Sequence, residues 1–143
     1  MPEIPWTYVS RLMSAAANAA EEHGVTVAIA VSDRDGALLG SLRMPGVPPL
    51  LGRLAEAKAY SAASLRHDTH DLRGIEETDP PLAAAVRGVA DGAVVTAGGG
   101  LLIRDGERIV AAIGVSGGSG TQDAEIARAA MSAHPVGAWV GRG

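Results

Sequence analysis

Apolar positions recur at two different periods along this chain, and the switches between them outline its elements. From Trp6 to His23, the residues Val9, Leu12, Met13, Ala16, Ala17 and Ala20 follow the i, i+3, i+4, i+7, i+8 spacing of one helix face. Gly24 stands where a left-handed glycine would end that helix. The segment VTVAIAVSD that follows is β-branched, apolar and too short for a typical helix, and Asp35-Gly36 separates it from ALLGSLR. This pattern predicts a hairpin.

The prolines and glycine of MPGVPP predict a loop that carries the chain off the sheet. In LLGRLAEAKAYSAASLRHD, Leu51, Leu54, Ala55, Lys58, Ala62 and Leu65 align along one side, so a second helix is expected from near Leu50 to near Arg66. HDTHDLRGIEETD is polar and acidic with no clear period and reads as a polar loop, and Pro80-Pro81 suits the first turn of a short helix over Leu82–Val89. Beyond it, Ala93–Thr96 reads as a short strand, LLIR as another, Asp105-Gly106 as a turn and RIVAAIGV as a longer strand. Ser119 followed by Gln122 is a capping box, which opens a last helix running to near Ser132, with a short glycine-containing tail after Pro135. Hairpin-connected strands with helices before, between and after them predict an α+β layered fold around an antiparallel sheet.

Composition narrows the class. A chain of 143 residues with 47% hydrophobic residues is the size of one domain, expected over residues 1–143. Twelve Lys and Arg against 16 Asp and Glu, a net charge of -4, and scattered basic residues argue against a nucleic-acid partner. The absence of Cys excludes a disulfide framework, a thiolate metal site and a Cys nucleophile. No apolar run reaches the ~18 to 20 residues of a membrane span, and MPEIPWTYVS lacks the pattern of a signal peptide. A soluble, cytoplasmic protein without a membrane partner is expected.

Candidate chemistry gathers in four places. SGGSGTQD, with Gly117, Gly118 and Gly120, is a strand-to-helix loop of the kind whose N–H groups attract carboxylates or phosphates, although it matches neither the P-loop nor the dinucleotide pattern. Gly98, Gly99 and Gly100 leave room for a ligand or a neighbouring subunit to approach the backbone. His67 and His70, beside Asp68 and Asp71, are candidate ligands for a transition metal, haem iron included. Lys58, on an otherwise small and apolar helix face, and Arg43, ending the second strand, are candidates for recognising an acid.

Several separated segments together resemble one family. GGGLLIRDGERIVAAIGVSGGSGTQDAEIARAAM is similar to the C-terminal half of GlcG/HbpS-type, haem-degrading domains. IAVSDRDGALLGSLRM resembles that family's hairpin, and LAEAKAYSAAS its Lys-bearing helix. The family's GG-x-P is replaced here by Gly99-Gly100-Leu101-Leu102, and the acidic residue that follows R-M is replaced by Pro45. The resemblance implies a profilin-like three-layer α/β/α domain with a central sheet of about five antiparallel strands, which self-assembles into a homo-oligomer. It also implies likeness to the accessory domain of corrinoid adenosyltransferases, and haem or a related tetrapyrrole as a small-molecule ligand.

On that reading an imidazole of His67 or His70 meets iron. Lys58 or Arg43 and the amides of Gly117, Gly118 and Gly120 meet propionates. The alternative is a metal-independent hydratase, tautomerase or lyase for a small carboxylic acid. Its pocket would lie at a subunit interface between the glycine loops and the Lys58 helix, with His67, Glu56 or Asp123 moving the proton. A third expectation is an assembly or sensor subunit with no chemistry of its own.

Overall fold

The computed structural model describes residues 3–137. Their order is α1 (Trp6–Glu22), β1 (Ala28–Asp33), β2 (Leu38–Arg43), α2 (Pro49–Leu65), α3 (Thr69–Thr78), α4 (Pro80–Ala90), β3 (Gly100–Asp105), β4 (Arg108–Ser116) and α5 (Gly120–Ala133). The glycine-containing tail read after Pro135 lies largely outside the described residues.

The local signals act as their chemistry dictates. At the end of α1, Gly24 takes φ +70° and lets the Val25 N–H turn back to the Ala20 carbonyl at 3.0 Å. In the β1–β2 turn the Asp33 carboxylate accepts from the N–H groups of Asp35 and Ala37. At α5 the capping box is complete: the Gln122 N–H donates to Ser119 Oγ at 3.1 Å, and the Ser119 N–H donates to Gln122 Oε1 at 3.0 Å.

The sheet is antiparallel throughout, in the order β2-β1-β4-β3. Its centre is the β1–β4 pair, in register from Ala28 opposite Ser116 to Asp33 opposite Ala111. Both strands are buried almost from end to end, because helices cover both faces. Such strands read as continuous apolar runs rather than as an alternation. α2 lies on one face, against β4, β1 and β3, while α1 and α5 pack on each other and on the opposite face. Gly114 explains how close α2 comes: a Cβ there would stand 2.0 Å from the Ala55 carbonyl oxygen, so helix backbone rests on strand backbone. Across the molecule the Tyr8 hydroxyl donates to the His134 carbonyl at 2.7 Å, tying α1 to the end of α5. Burial pushes the pKa of this phenol up to about 12.

Two sequence expectations are corrected. The sheet has four strands among the described residues, not about five, because Ala93–Thr96 joins no ladder. Its polar backbone is answered by a side chain instead: the Val95 N–H donates to Ser61 Oγ on α2 at 2.9 Å. HDTHDLRGIEETD is not a loop but contains α3, whose only large apolar residues, Leu72 and Ile75, are too few to mark a period in so polar a segment. Tertiary hydrogen bonds hold its start. The Thr69 hydroxyl donates to the Ala97 carbonyl at 2.6 Å and accepts from the Gly100 N–H at 2.9 Å, and Asp68 Oδ1 accepts from the Leu102 N–H at 2.9 Å. No helix among the described residues is long and apolar enough to cross a membrane.

Candidate functional site

Lys58, the only lysine in the chain, is 2% exposed at the centre of the molecule. α2 carries it over the end of β4, where its Nζ donates to the Val115 carbonyl at 2.8 Å and to Asp123 Oδ2 at 3.0 Å. Asp123, in the first turn of α5, is 1% exposed, and its Oδ1 accepts from the Gly118 N–H at 2.8 Å. Both charges are thus compensated and hydrogen-bonded, as burial at this depth requires. The acid-recognising candidate Lys58 and the proton-moving candidate Asp123 are each other's partners.

The two glycine runs close around this pair. Gly99, at φ +124°, has no room for a side chain: a Cβ would stand 2.5 Å from the Val115 carbonyl oxygen and 3.0 Å from Lys58 Nζ. A Cβ on Gly100 would meet the Lys58 carbonyl oxygen at 2.5 Å, and one on Gly98 the Gly120 carbonyl oxygen at 2.9 Å. Gly118 abuts Asp123, whereas Gly117 turns away to the backbone of Thr26 and Val27. The glycine loops and the Lys58 helix thus meet within one chain, and their meeting point is filled by protein.

The two histidines part company. His67 follows α2 and lines an apolar groove of about 280 Å³ with Leu65, Leu72, Ile75, Leu82 and Val86. Among the described residues its imidazole has no hydrogen-bond partner, and at the rim Arg87 pairs with Glu76. His70, the second residue of α3, lines a separate cleft of about 400 Å³ with Gly98, Gly120 and Arg128. Its Nε2 lies 2.9 Å from Asp71 Oδ1, and with Asp68 these groups form an exposed cluster of metal-ligating type.

The remaining candidates lie elsewhere. Glu56 lines a surface groove with Tyr60 and Arg53, which shares no lining residue with the groove of His67. Arg43 is exposed at the end of β2, where its guanidinium donates to the Val47 carbonyl at 2.6 Å. Glu56, His67 and Asp123 thus occupy three different surroundings and do not assemble into one proton-transfer site. Sequence reading passed over Arg73 and Arg128, which line the His70 cleft, and the apolar residues of α3 and α4 around His67. The signal was the spacing of His70 and Arg73, three apart, which acquires meaning only once Thr69–Thr78 is placed in a helix.

A four-stranded antiparallel sheet between helical layers, with glycine loops closed over a buried Lys–Asp pair, defines the class: an α+β protein of the HbpS-like kind. The model of that family, described as haem degrading protein HbpS-like, matches residues 4–132, and the chain belongs to it. The corrinoid adenosyltransferase PduO of Salmonella typhimurium is 34% identical over 131 residues, 89% of this chain. That match spans only 38% of the relative's own length. Among solved structures, the PduOC:haem complex has 28% identity and a TM-score of 0.83, covering 92% of this chain and 95% of that one. HbpS has 30% identity and a TM-score of 0.83, covering 93% and 91%.

Proposed function

We propose that this protein binds haem or a related tetrapyrrole and serves in haem handling, with the α2–α3–α4 groove as the site and His67 as the iron ligand. The observation that carries the reading is an imidazole without a hydrogen-bond partner, among the described residues, on the wall of a largely apolar groove. Its setting is a fold shared at a TM-score of 0.83 with a haem complex. The donor set fits the group. A neutral imidazole nitrogen is a standard ligand for haem iron, and Leu65, Leu72, Ile75, Leu82 and Val86 offer the apolar surface that a porphyrin face needs.

Arg87 at the rim holds Glu76 and can exchange that carboxylate for a propionate with little change in its own bonding. Haem, when bound, supplies an iron centre for ligand binding or redox chemistry. The chain's own contribution is to orient an imidazole and to keep water from the ring. Assembly of like copies belongs to the same proposal, supported by the unpaired edge of β2, where Leu38 and Leu39 stand 49% and 43% exposed.

The test is a titration of the apoprotein with haemin, followed at the Soret band. Saturable one-to-one binding is expected, weakened at least tenfold in His67→Ala and unchanged in His70→Ala. Unsaturable binding, or binding indifferent to His67→Ala, overturns the assignment.

A further inference from the structure

The cleft between α3 and α5 has chemistry opposite to that of the His67 groove, with which it shares no lining residue. Its volume is about 400 Å³, within the range of small-molecule pockets. The floor consists of residues with little or no side chain, Gly98, Gly120 and Ala124, and the walls carry His70 and Arg73 from α3 and Arg128 from α5. His70 and Arg73 are three positions apart on their helix, and Ala124 and Arg128 four apart on theirs, so each pair shares one helix face.

The charges of the lining residues do not cancel. No acidic side chain lines the cleft. The neighbouring acids have other partners: Asp71 pairs with His70 at the rim, beside Asp68, which accepts from the Leu102 N–H, while Asp123 is held by Lys58 and Gly118, and Glu125 lies 3.9 Å from His23. Among the described residues neither Arg73 nor Arg128 makes an ion pair or a side-chain hydrogen bond, whereas Arg66 and Arg87 both pair with carboxylates. Two guanidinium groups left without counter-charges on the walls of one concave site are stabilised by a ligand that brings negative charge to both. The first turn of α5, at Gly120 and Thr121, adds a favourable dipole to that field without being its source.

We infer that this cleft binds a small polyanion, a di- or tricarboxylate or a phosphate, held by bidentate contacts from Arg73 and Arg128 over the glycine floor. The inference stands independently of haem binding, since it uses neither His67 nor the apolar groove.

Isothermal titration calorimetry in low-chloride buffer, with citrate and inorganic phosphate as separate probes, tests it. One saturable site per chain is expected for at least one probe, with affinity falling roughly tenfold or more in Arg73→Gln and in Arg128→Gln. Arg104→Gln removes the same charge at the far end of β3, beside Glu107, and should bind as the parent does. A preference for citrate assigns the site to carboxylates, and a preference for phosphate assigns it to phosphates. Both arginines are exposed, so the variants should keep their circular dichroism melting curves and report on binding alone. The proposal falls if neither probe binds saturably at millimolar concentration. It falls equally if the Arg73→Gln/Arg128→Gln double variant binds as tightly as the parent.

Discussion

Around the β1–β4 pair, helix backbone lies almost on sheet backbone, whereas the α3–α4 hairpin reaches the same sheet through a handful of side chains. In the first region the contacts are made by Ala55, Ala59, Ala62 and Ala63 of α2 and Ala124, Ala127 and Ala130 of α5, all buried, over a strand that carries Gly114. In the second, α3 and α4 pack chiefly on each other, and α4 leaves Leu82 and Val89 49% and 91% exposed. Small residues bring backbones together, multiply dispersion contacts and hold a buried ion pair in one geometry. Larger apolar residues on a loosely attached hairpin leave a groove unfilled. Ligand sites tend to be drawn from such weakly held elements, while the dense region supplies the rigid frame against which they close.

The largest effect expected from this contrast is at the ion pair. Lys58→Met leaves Asp123 charged and buried, and urea unfolding should show a loss of about 3–5 kcal/mol. Adding Asp123→Leu removes that stranded charge and should restore most of the loss, leaving the Val115 carbonyl and the Gly118 N–H without their side-chain partners. A single variant as stable as the parent would break the comparison, because the dense region would then not depend on its charge pair.

A smaller effect is expected from Leu72→Ala, at about 2–3 kcal/mol, since Leu72 is the one large apolar side chain that α3 buries. Hydrogen exchange should localise the damage, with amides of residues 69–90 losing protection while those of β1 and β4 keep theirs. Equal loss in both regions would mean that the hairpin and the sheet open as a unit.

The smallest effect concerns alkaline pH and sharpens the contrast from the dense side. The Tyr8 pKa is raised from 10.0 to about 12 by burial, so the unfolded chain releases this proton first. Stability is therefore unaffected by this group below about pH 10 and declines between about pH 10 and about 12, by at most about 3 kcal/mol. In urea unfolding across that window, Tyr8→Phe should flatten the decline at the cost of the hydroxyl bond to the His134 carbonyl. A slope that persists in Tyr8→Phe would assign the alkaline loss to another group.

The elements with strong periods or sharp punctuation were legible from residues alone. α1, β2, the second hairpin, α2 and the capped start of α5 lie within a residue or two of where their patterns put them, while β1 starts at Ala28, three residues into its apolar run. α3 escaped because a helix that buries Thr69 and Leu72 and little else is specified by its tertiary hydrogen bonds to Ala97 and Gly100 more than by its own periodicity. Ala93–Thr96 looked like a strand for the complementary reason: β-propensity describes a pleated, half-buried surface, and here Ser61 took the place of a neighbouring strand. The candidate residues were visible as types, with Lys58, Asp123, His67, His70 and the glycines all standing out. Their partnerships were not.

What the sequence determined by itself is the class of architecture and the inventory of chemistry: antiparallel hairpins between helices, no thiol, one lysine, and two glycine runs placed to come close. Those features follow from local rules, since period, turn residues and caps act over a few positions. Tertiary structure alone decided that Lys58 and Asp123, 65 positions apart, neutralise each other. It also decided that His67 and His70, three apart, face different cavities, and that Arg73 and Arg128 share one. Electrostatics and burial depend on distance through space, and the fold sets that distance with little regard for separation along the chain.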